Sequence, residues 1–440
     1  MRLIQPLKLI AVSMLCVYLI GCSAENTWLA PSRQAIGVPQ NSNLPFEDYV
    51  QDSRQIIEKV ITKQRFSNAQ SPYVGGYTVA DVVNMRAPFQ IPLDSDVLCQ
   101  QKKAGAGKGF LLIHGLTDSP YLLKNIAQSL ADQYPCALIR AVLLPGHGTV
   151  VGDTLAMKYQ DWIAITEYGV RSFDKIEGVK ELFLVGFSTG TALAIKHLKT
   201  AVDTQKIKGL ILLSTAVKAR SDFAWLSQYV IFFKRWLEVR EERDAARYSS
   251  FSVNAAVQFY QLTKDIMSQQ YAVNVPVLMA VSADDATISS EAAREFFCKY
   301  VHNERKLLLW FNGFSAKSNL NCTGIYEIEQ VDVEQRYEDT DYKYANLSHT
   351  GVAGDPGDNH YGVNGVYRDC KSYEAKDDQL WRACLSDHGV KIFAEKNIKN
   401  MPAVLGKTGM WRRGTFNKDY QKLLQSILCL TDKHCDLKVI

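Results

Sequence analysis

From residue 109 onward, apolar positions fall in short unbroken runs that alternate with stretches of helical spacing. "GFLLIHG" reads as a buried strand. "SPYLLKNIAQSLADQY" reads as a helix with Ser119 as N-cap and Pro120 at its first position. "CALIRAVLLPGHG" is a strand running into a loop, "YQDWIAITEYGVRSFDKI" a helix, "ELFLVGFS" a strand, "TGTALAIKHLKTA" a helix and "IKGLILLS" another strand. Strands that are apolar throughout, each followed by an amphipathic helix, predict an α/β fold whose mostly parallel sheet is covered by helices on both faces.

The alternation pauses between about 216 and 273. "SDFAWLSQYVIFFKRWLEV" and "SFSVNAAVQFYQLTKDIM" read there as two or more amphipathic helices, a helical cap inserted between successive strands. Phe223, Trp225, Phe232, Phe233 and Trp236 make the cap aromatic; they suit the lining of an apolar acyl site, while plain core is the commoner fate of any single one. The strand pattern resumes in "VPVLMAVS" and "KLLLWFNG", followed by a polar, glycine- and tyrosine-rich insertion over about 313–390 and a closing helix, "NKDYQKLLQSILCL". Ahead of the alternation, "FEDYVQDSRQIIEKVI" has helical spacing at Tyr49, Ile56, Ile57 and Val60. The main domain is thus expected over 45–440, with no internal repeats.

The first residues break the pattern. "MRLIQPLKLIAVSMLCVYLIGC" places Arg2 and Lys8 around an apolar core too short for a comfortable membrane span but suited to a signal peptide. It closes on "LIGC", which resembles the lipobox of bacterial lipoproteins. The resemblance implies removal of 1–21, a lipid on Cys22, and a tether over 22–44; Ser23 after the cysteine is compatible with the outer membrane. An ordinary secretory signal cut nearby is the alternative. Either way, export leaves eight cysteines after Cys16 and Cys22 are set aside, an even number that suggests disulfides in an oxidising compartment. Close spacing favours Cys370 with Cys384 and Cys429 with Cys435. No C-x-x-C pair points to zinc.

Composition excludes little else. The chain has 440 residues, 47% hydrophobic and 22% charged, with a formal net charge of +4 that gives no reason to expect a nucleic-acid partner. "GAGKGF" has no strand before it and no Ser or Thr after its lysine, so it reads as a turn rather than a phosphate loop.

The chemistry gathers at "GFSTG". Ser188 lies directly after an apolar strand and directly before a helix, where a nucleophile on a sharp strand-to-helix turn must lie. The helix N-terminus turns N–H groups and positive dipole toward a developing oxyanion. One oxyanion donor is expected from Thr189. The second is expected from the loop after an earlier strand, "LLIHGLTDSP", with Leu116 as the natural donor.

The order of "HGLTDSP", "LPGHGT", "GFSTG" and "VPVLMAVSADDATI" over about 109–312 resembles the α/β-hydrolases of the monoglyceride lipase, bacterial carboxylesterase and serine aminopeptidase-like group. The resemblance implies an α/β-hydrolase fold, a Ser-His-Asp triad and no cofactor or metal. The family pattern G-x-x-D-x-x-V selects Asp285 as the acid, with Ser282 replacing the usual glycine; Asp284 is then a solvated loop carboxylate. His114 and His147 read as loop-holding residues. The base departs from the family, since no histidine directly follows "LLLWFNG". Position along the chain removes five of eight histidines and leaves His349, His360 and His388. His349, before Thr350 and Gly351, is favoured over His360, which sits in a Gly/Asp/Asn turn with Asp355 and Asp358 and suits a structural role or a metal site.

The expectation is an exported serine hydrolase of the bacterial cell envelope, membrane-attached through its lipid and acting on small-molecule carboxylic (acyl or lipid) esters. A peptidase or amidase of the serine aminopeptidase type is the alternative within the same fold. A non-catalytic envelope scaffold is the alternative of another class. A dehalogenase would carry aspartate in place of Ser188.

Overall fold

The computed structural model describes residues 27–437 apart from 67–69, 93–98, 100–105, 269–270, 315–319, 331, 338–339, 374–377, 387–388, 390 and 396–409. The expected signal peptide, Cys22 and His388 lie outside the described residues.

Strands β1 (Phe89–Ile91), β2 (Lys108–Ile113), β3 (Leu138–Val142), β4 (Glu181–Phe187) and β5 (Ile207–Leu213) belong to one eight-stranded sheet. A two-stranded hairpin, β6 (Trp236–Glu238) with β7 (Phe251–Ser252), intervenes in the chain. The sheet continues with β8 (Val277–Ser282), β9 (Lys306–Asn312) and β10 (Ile325–Glu329), in the order β1-β3-β2-β4-β5-β8-β9-β10. Only the edge strand β1 runs antiparallel to its neighbour; every other pairing in the sheet is parallel. The unbroken apolar runs follow from this arrangement, because successive side chains of each strand point into different cores. Phe110, Leu112, Val185, Ile211 and Leu278 pack on one face with Ile126, Leu130, Leu423 and Ile427. Leu111, Ile113, Leu184, Leu210 and Met279 pack on the other with Trp162, Ile165, Leu193 and Phe297. Among the described residues, no helix is long and apolar enough to cross a membrane.

Three segments differ from their expectation. The stretch expected as a tether is packed on the domain from Thr27 onward. Trp28 lies under the Arg65 guanidinium, Ser32 donates both its N–H (2.6 Å) and its hydroxyl (2.7 Å) to buried Asp153, and Ile36 enters the core. These contacts are long-range, so local periodicity carries no trace of them.

In the segment expected as a cap, "SFSVNAAVQFYQLTKDIM" forms the helix Val253–Met267, capped by the Ser252 hydroxyl. The preceding stretch makes only a short turn, Ala224–Leu226, one further turn, Ser227–Val230, and strand β6. Its aromatics are therefore not core: Phe223 is 70% exposed, Phe232 80% and Phe233 90%.

The segment expected as an insertion over about 313–390 contributes one strand to the main sheet and, together with strands beyond 390, builds a second sheet. After β10 joins the main sheet, β11 (Asp332–Tyr337) and β12 (Thr340–Tyr344) pair with β13 (Lys391–Ala394) and β14 (Met410–Arg413) in a separate four-stranded sheet. The loop leaving β12 carries His349. Both disulfides favoured by spacing form, and Cys99–Cys136 and Cys298–Cys322 complete four pairs.

Candidate active site

Ser188 occupies the turn between β4 and the helix Thr189–Thr200, with φ 50° and ψ −118°. That conformation is costly for a residue with a Cβ. The neighbouring glycines make it possible. A Cβ on Gly190 would lie 1.9 Å from the Ile113 carbonyl oxygen, and one on Gly186 would lie 2.6 Å from Gly190. The Gly-x-Ser-x-Gly pattern is thus a steric requirement of driving a strand into a helix beside β2.

Three side chains from three distant segments meet here. His349 Nε2 lies 2.9 Å from Ser188 Oγ, and His349 Nδ1 lies 2.6 Å from Asp285 Oδ2. With Nδ1–H donating to the carboxylate, Nε2 is the lone-pair acceptor for the serine hydroxyl. Asp285 is held in turn, its Oδ1 accepting the N–H groups of Thr287 (2.7 Å) and Ile288 (2.9 Å). All three residues are buried, Ser188 being 6% exposed.

The His349 loop is fixed by contacts no local sequence signal announces. The Ser214 hydroxyl donates to the His349 carbonyl (2.7 Å), and the Ser282 hydroxyl donates to the Leu347 carbonyl (2.6 Å). The His349 N–H donates to Glu395 Oε2 (2.8 Å), and Arg413 Nε donates to Glu395 Oε1 (2.7 Å). Glu395 and Arg413 follow the ends of β13 and β14 or close them, so the second sheet grips the loop. Ser282, the serine of the "SADDATI" string, supplies one of the tethers.

Asp284 is not the solvated carboxylate expected. Its Oδ2 accepts the Phe314 N–H (2.7 Å) and Asn346 Nδ2 (2.6 Å). The insertion folds back over it, and Asn346 Oδ1 then accepts the Glu395 N–H (2.7 Å). The two adjacent aspartates divide the work: Asp285 reaches His349, while Asp284 pins both ends of the chain that brings His349 in.

The expected oxyanion loop lies against this centre. A Cβ on Gly115 would lie 3.0 Å from the Ser188 Cβ. Thr117, with φ 63°, donates its N–H to His147 Nε2 (3.0 Å) and accepts the Tyr248 N–H (2.8 Å). His114 and His147 hold loops. The Leu144 N–H donates to His114 Nε2 (2.9 Å), and His147 Nδ1 lies 3.1 Å from the Leu144 carbonyl oxygen. Burial pushes the His147 imidazole down to about 4 and His114 well below its ordinary value, so both are neutral near pH 7. Beside the loop, burial pushes the Asp118 carboxyl up to about 7 despite the Arg247 guanidinium nearby.

His360 lies elsewhere. It is fully buried, with Nε2 2.9 Å from Asp244 Oδ1 and Nδ1 3.0 Å from the Tyr77 hydroxyl. Asp244 also accepts from the Tyr361 hydroxyl and Arg247. Burial alone would raise its carboxyl, but the His360 hydrogen bond and charge hold it well below the usual range. Asp358 accepts from Tyr121, Asn125 and two backbone N–H groups, and Asp355 caps the turn at Gly357. Both imidazole nitrogens are thus engaged away from Asp355 and Asp358, and among the described residues no cluster of three metal-ligating side chains occurs.

A parallel sheet with one antiparallel edge strand and a buried serine on the turn after β4 define the α/β-hydrolase fold, which this chain has. Residues 107–315 match the family model described as "Serine aminopeptidase, S33". A thermostable monoacylglycerol lipase of Bacillus sp. (strain H-257) is 32% identical over 88 residues, 20% of this chain and 33% of that protein. The chain thus spans about a third of the length of the curated relative it matches. Among solved structures, one described with the metagenome-derived lipolytic enzymes LipS and LipT has a TM-score of 0.42 at 20% identity, covering 51% of this chain and 86% of that one. Paleococcus ferrophilus monoacylglycerol lipase has a TM-score of 0.39 at 18% identity, covering 52% and 88%.

Proposed function

We propose that the protein is a serine hydrolase that cleaves carboxylic esters, acyl or lipid, through an acyl-enzyme, and that it is exported and held at the bacterial envelope by a lipid on Cys22. The observation that carries the chemistry is the continuous relay from Ser188 Oγ through His349 to Asp285. The lipobox-like "LIGC" and the four disulfides support export. Ser23 is compatible with the outer membrane.

In this reading His349 Nε2 takes the Ser188 proton as the oxygen attacks the ester carbonyl. The tetrahedral oxyanion is received by the N–H groups of Leu116 and Thr189, each worth about 3–4 kcal/mol in comparable enzymes. The imidazolium, stabilised by Asp285, returns the proton to the leaving alcohol as the carbon–oxygen bond breaks. Water then enters, gives its proton to His349 and releases the acid, and Ser188 regains its hydrogen. The matched family's description favours one second reading, an aminopeptidase in which the leaving group is an amine.

A fluorophosphonate probe tests the nucleophile. Labelling of the folded protein that disappears in Ser188→Ala is expected; equal labelling of both, or none of either, would leave a scaffold on a hydrolase fold. Acyl esters and aminoacyl amides compared side by side then separate the two leaving groups.

A further inference from the structure

Among the described residues, exposed large hydrophobic side chains concentrate in the insert between β5 and β8. Of thirteen large hydrophobic side chains exposed among the described residues, eight fall between 223 and 239. Phe223, Trp225, Tyr229, Phe232 and Phe233 form its tip. Soluble surfaces rarely carry such a cluster without a use for it. Cations flank it in the chain: Arg220, Lys234 and Arg235 are exposed and form no ion pair among the described residues, while Lys218 pairs with Asp222 and Arg240 with Glu238. Aromatic residues interleaved with unpaired cations suit an interface that is apolar beneath and anionic at its surface.

Two placements indicate the same occupant. First, the insert rims the candidate active site. Its start pairs with the Asp285 loop, Arg220 N–H donating to the Thr287 carbonyl (3.0 Å), and its end pairs with the oxyanion loop through Tyr248 and Thr117 (2.8 Å). Second, the packed chain begins beside it. Arg65, stacked 4.7 Å over Trp28, also donates to the Glu242 carbonyl. Gly152, against which Ala30 packs so closely that a Cβ would fall 2.3 Å from its oxygen, leads to Thr154, whose hydroxyl donates to Ser252 of β7 (3.0 Å). Thr27 is tied to the folded body, its hydroxyl donating to the Gln64 carbonyl (2.9 Å), and five residue steps separate it from Cys22, a reach of at most about 18 Å.

We propose that the 223–239 tip docks on an anionic phospholipid surface, so that the short N-terminal leash and the tip together hold the mouth of the Ser188 site against the bilayer. This rests on the lipid anchor proposed above and extends it. Anchoring alone fixes distance, whereas a second, apolar contact fixes orientation.

The test uses the full chain reconstituted in vesicles containing phosphatidylglycerol. A polarity-sensitive fluorophore is attached at Phe233→Cys or, as control, at Val202→Cys, a fully exposed position before the start of β5, whereas the insert follows the end of that strand. The parent chain is labelled in parallel. The expected result is a blue shift at 233, quenched by phospholipids brominated in their acyl chains, with water-like emission at 202. Phosphatidylcholine alone should reduce the shift. Water-like emission at 233 in a chain that co-floats with vesicles overturns the docking while leaving the anchor intact. A blue shift that bromolipid does not quench, and that grows with protein density, assigns the tip to a second copy of the chain and overturns it too. Failure of the full chain to co-float overturns the anchor.

Discussion

Glu395 accepts the backbone N–H of His349 at 2.8 Å and is itself held by Arg413 at 2.7 Å, so the imidazole facing Ser188 is positioned from a second sheet. A buried N–H that loses a charged acceptor is costly, and small displacements of a reacting group are amplified in rate. Glu395→Ala should lower kcat about 10- to 100-fold with KM changed less than about 2-fold. Glu395→Gln, which retains an acceptor oxygen, should recover most of the loss. Steady-state kinetics decide it, and an unchanged kcat in Glu395→Ala would show that the Ser214 and Ser282 tethers suffice.

The two histidines of the insertion should separate by readout. His349→Ala should remove on the order of 10⁴-fold or more of kcat while leaving the melting temperature close to that of the parent. His360→Ala leaves Asp244 without one partner and should cost about 2–4 kcal/mol of stability, measured by denaturant unfolding, while its folded fraction keeps its turnover. The reverse pattern would make His360 the base.

Burial of His147 makes acid destabilising. With its folded value near 4 and an unfolded value near 6.5, the native state binds fewer protons between those limits, so stability is present above about 6.5 and is lost as pH falls toward 4. The loss from this group is at most about 3 kcal/mol. His147→Gln carries both an acceptor for the Thr117 N–H and a donor for the Leu144 carbonyl without titrating. Melting temperature measured from pH 4 to 7 should fall less toward acid in the variant than in the parent.

The disulfides differ in the loop each closes. Cys99–Cys136 spans 37 residues and Cys429–Cys435 only 6. Chain entropy predicts about 4 kcal/mol for the first and about 2 kcal/mol for the second. Paired Cys→Ser variants should rank accordingly in unfolding free energy; equal losses would point to native-state packing instead.

Local sequence determined what local physics controls. Unbroken apolar runs separated by amphipathic helices specify strands buried on both faces, and the glycines around Ser188 are demanded by a turn that leaves no room for a Cβ. The pairings Cys370–Cys384 and Cys429–Cys435 were legible because neighbours in sequence have little freedom to be elsewhere. Tertiary structure decided whatever depends on distant chain meeting. Nothing in "ANLSHTG" announces that Glu395 and Arg413 grip it, or that Asp284, expected in solvent, ties down Phe314 and Asn346. It also decided where apolarity goes. Phe232 and Phe233 have the composition of core residues, but the insert that carries them forms too short a turn to bury them. Hydrophobicity is a property of a side chain, whereas burial is a property of its neighbours, and those are supplied only by the fold.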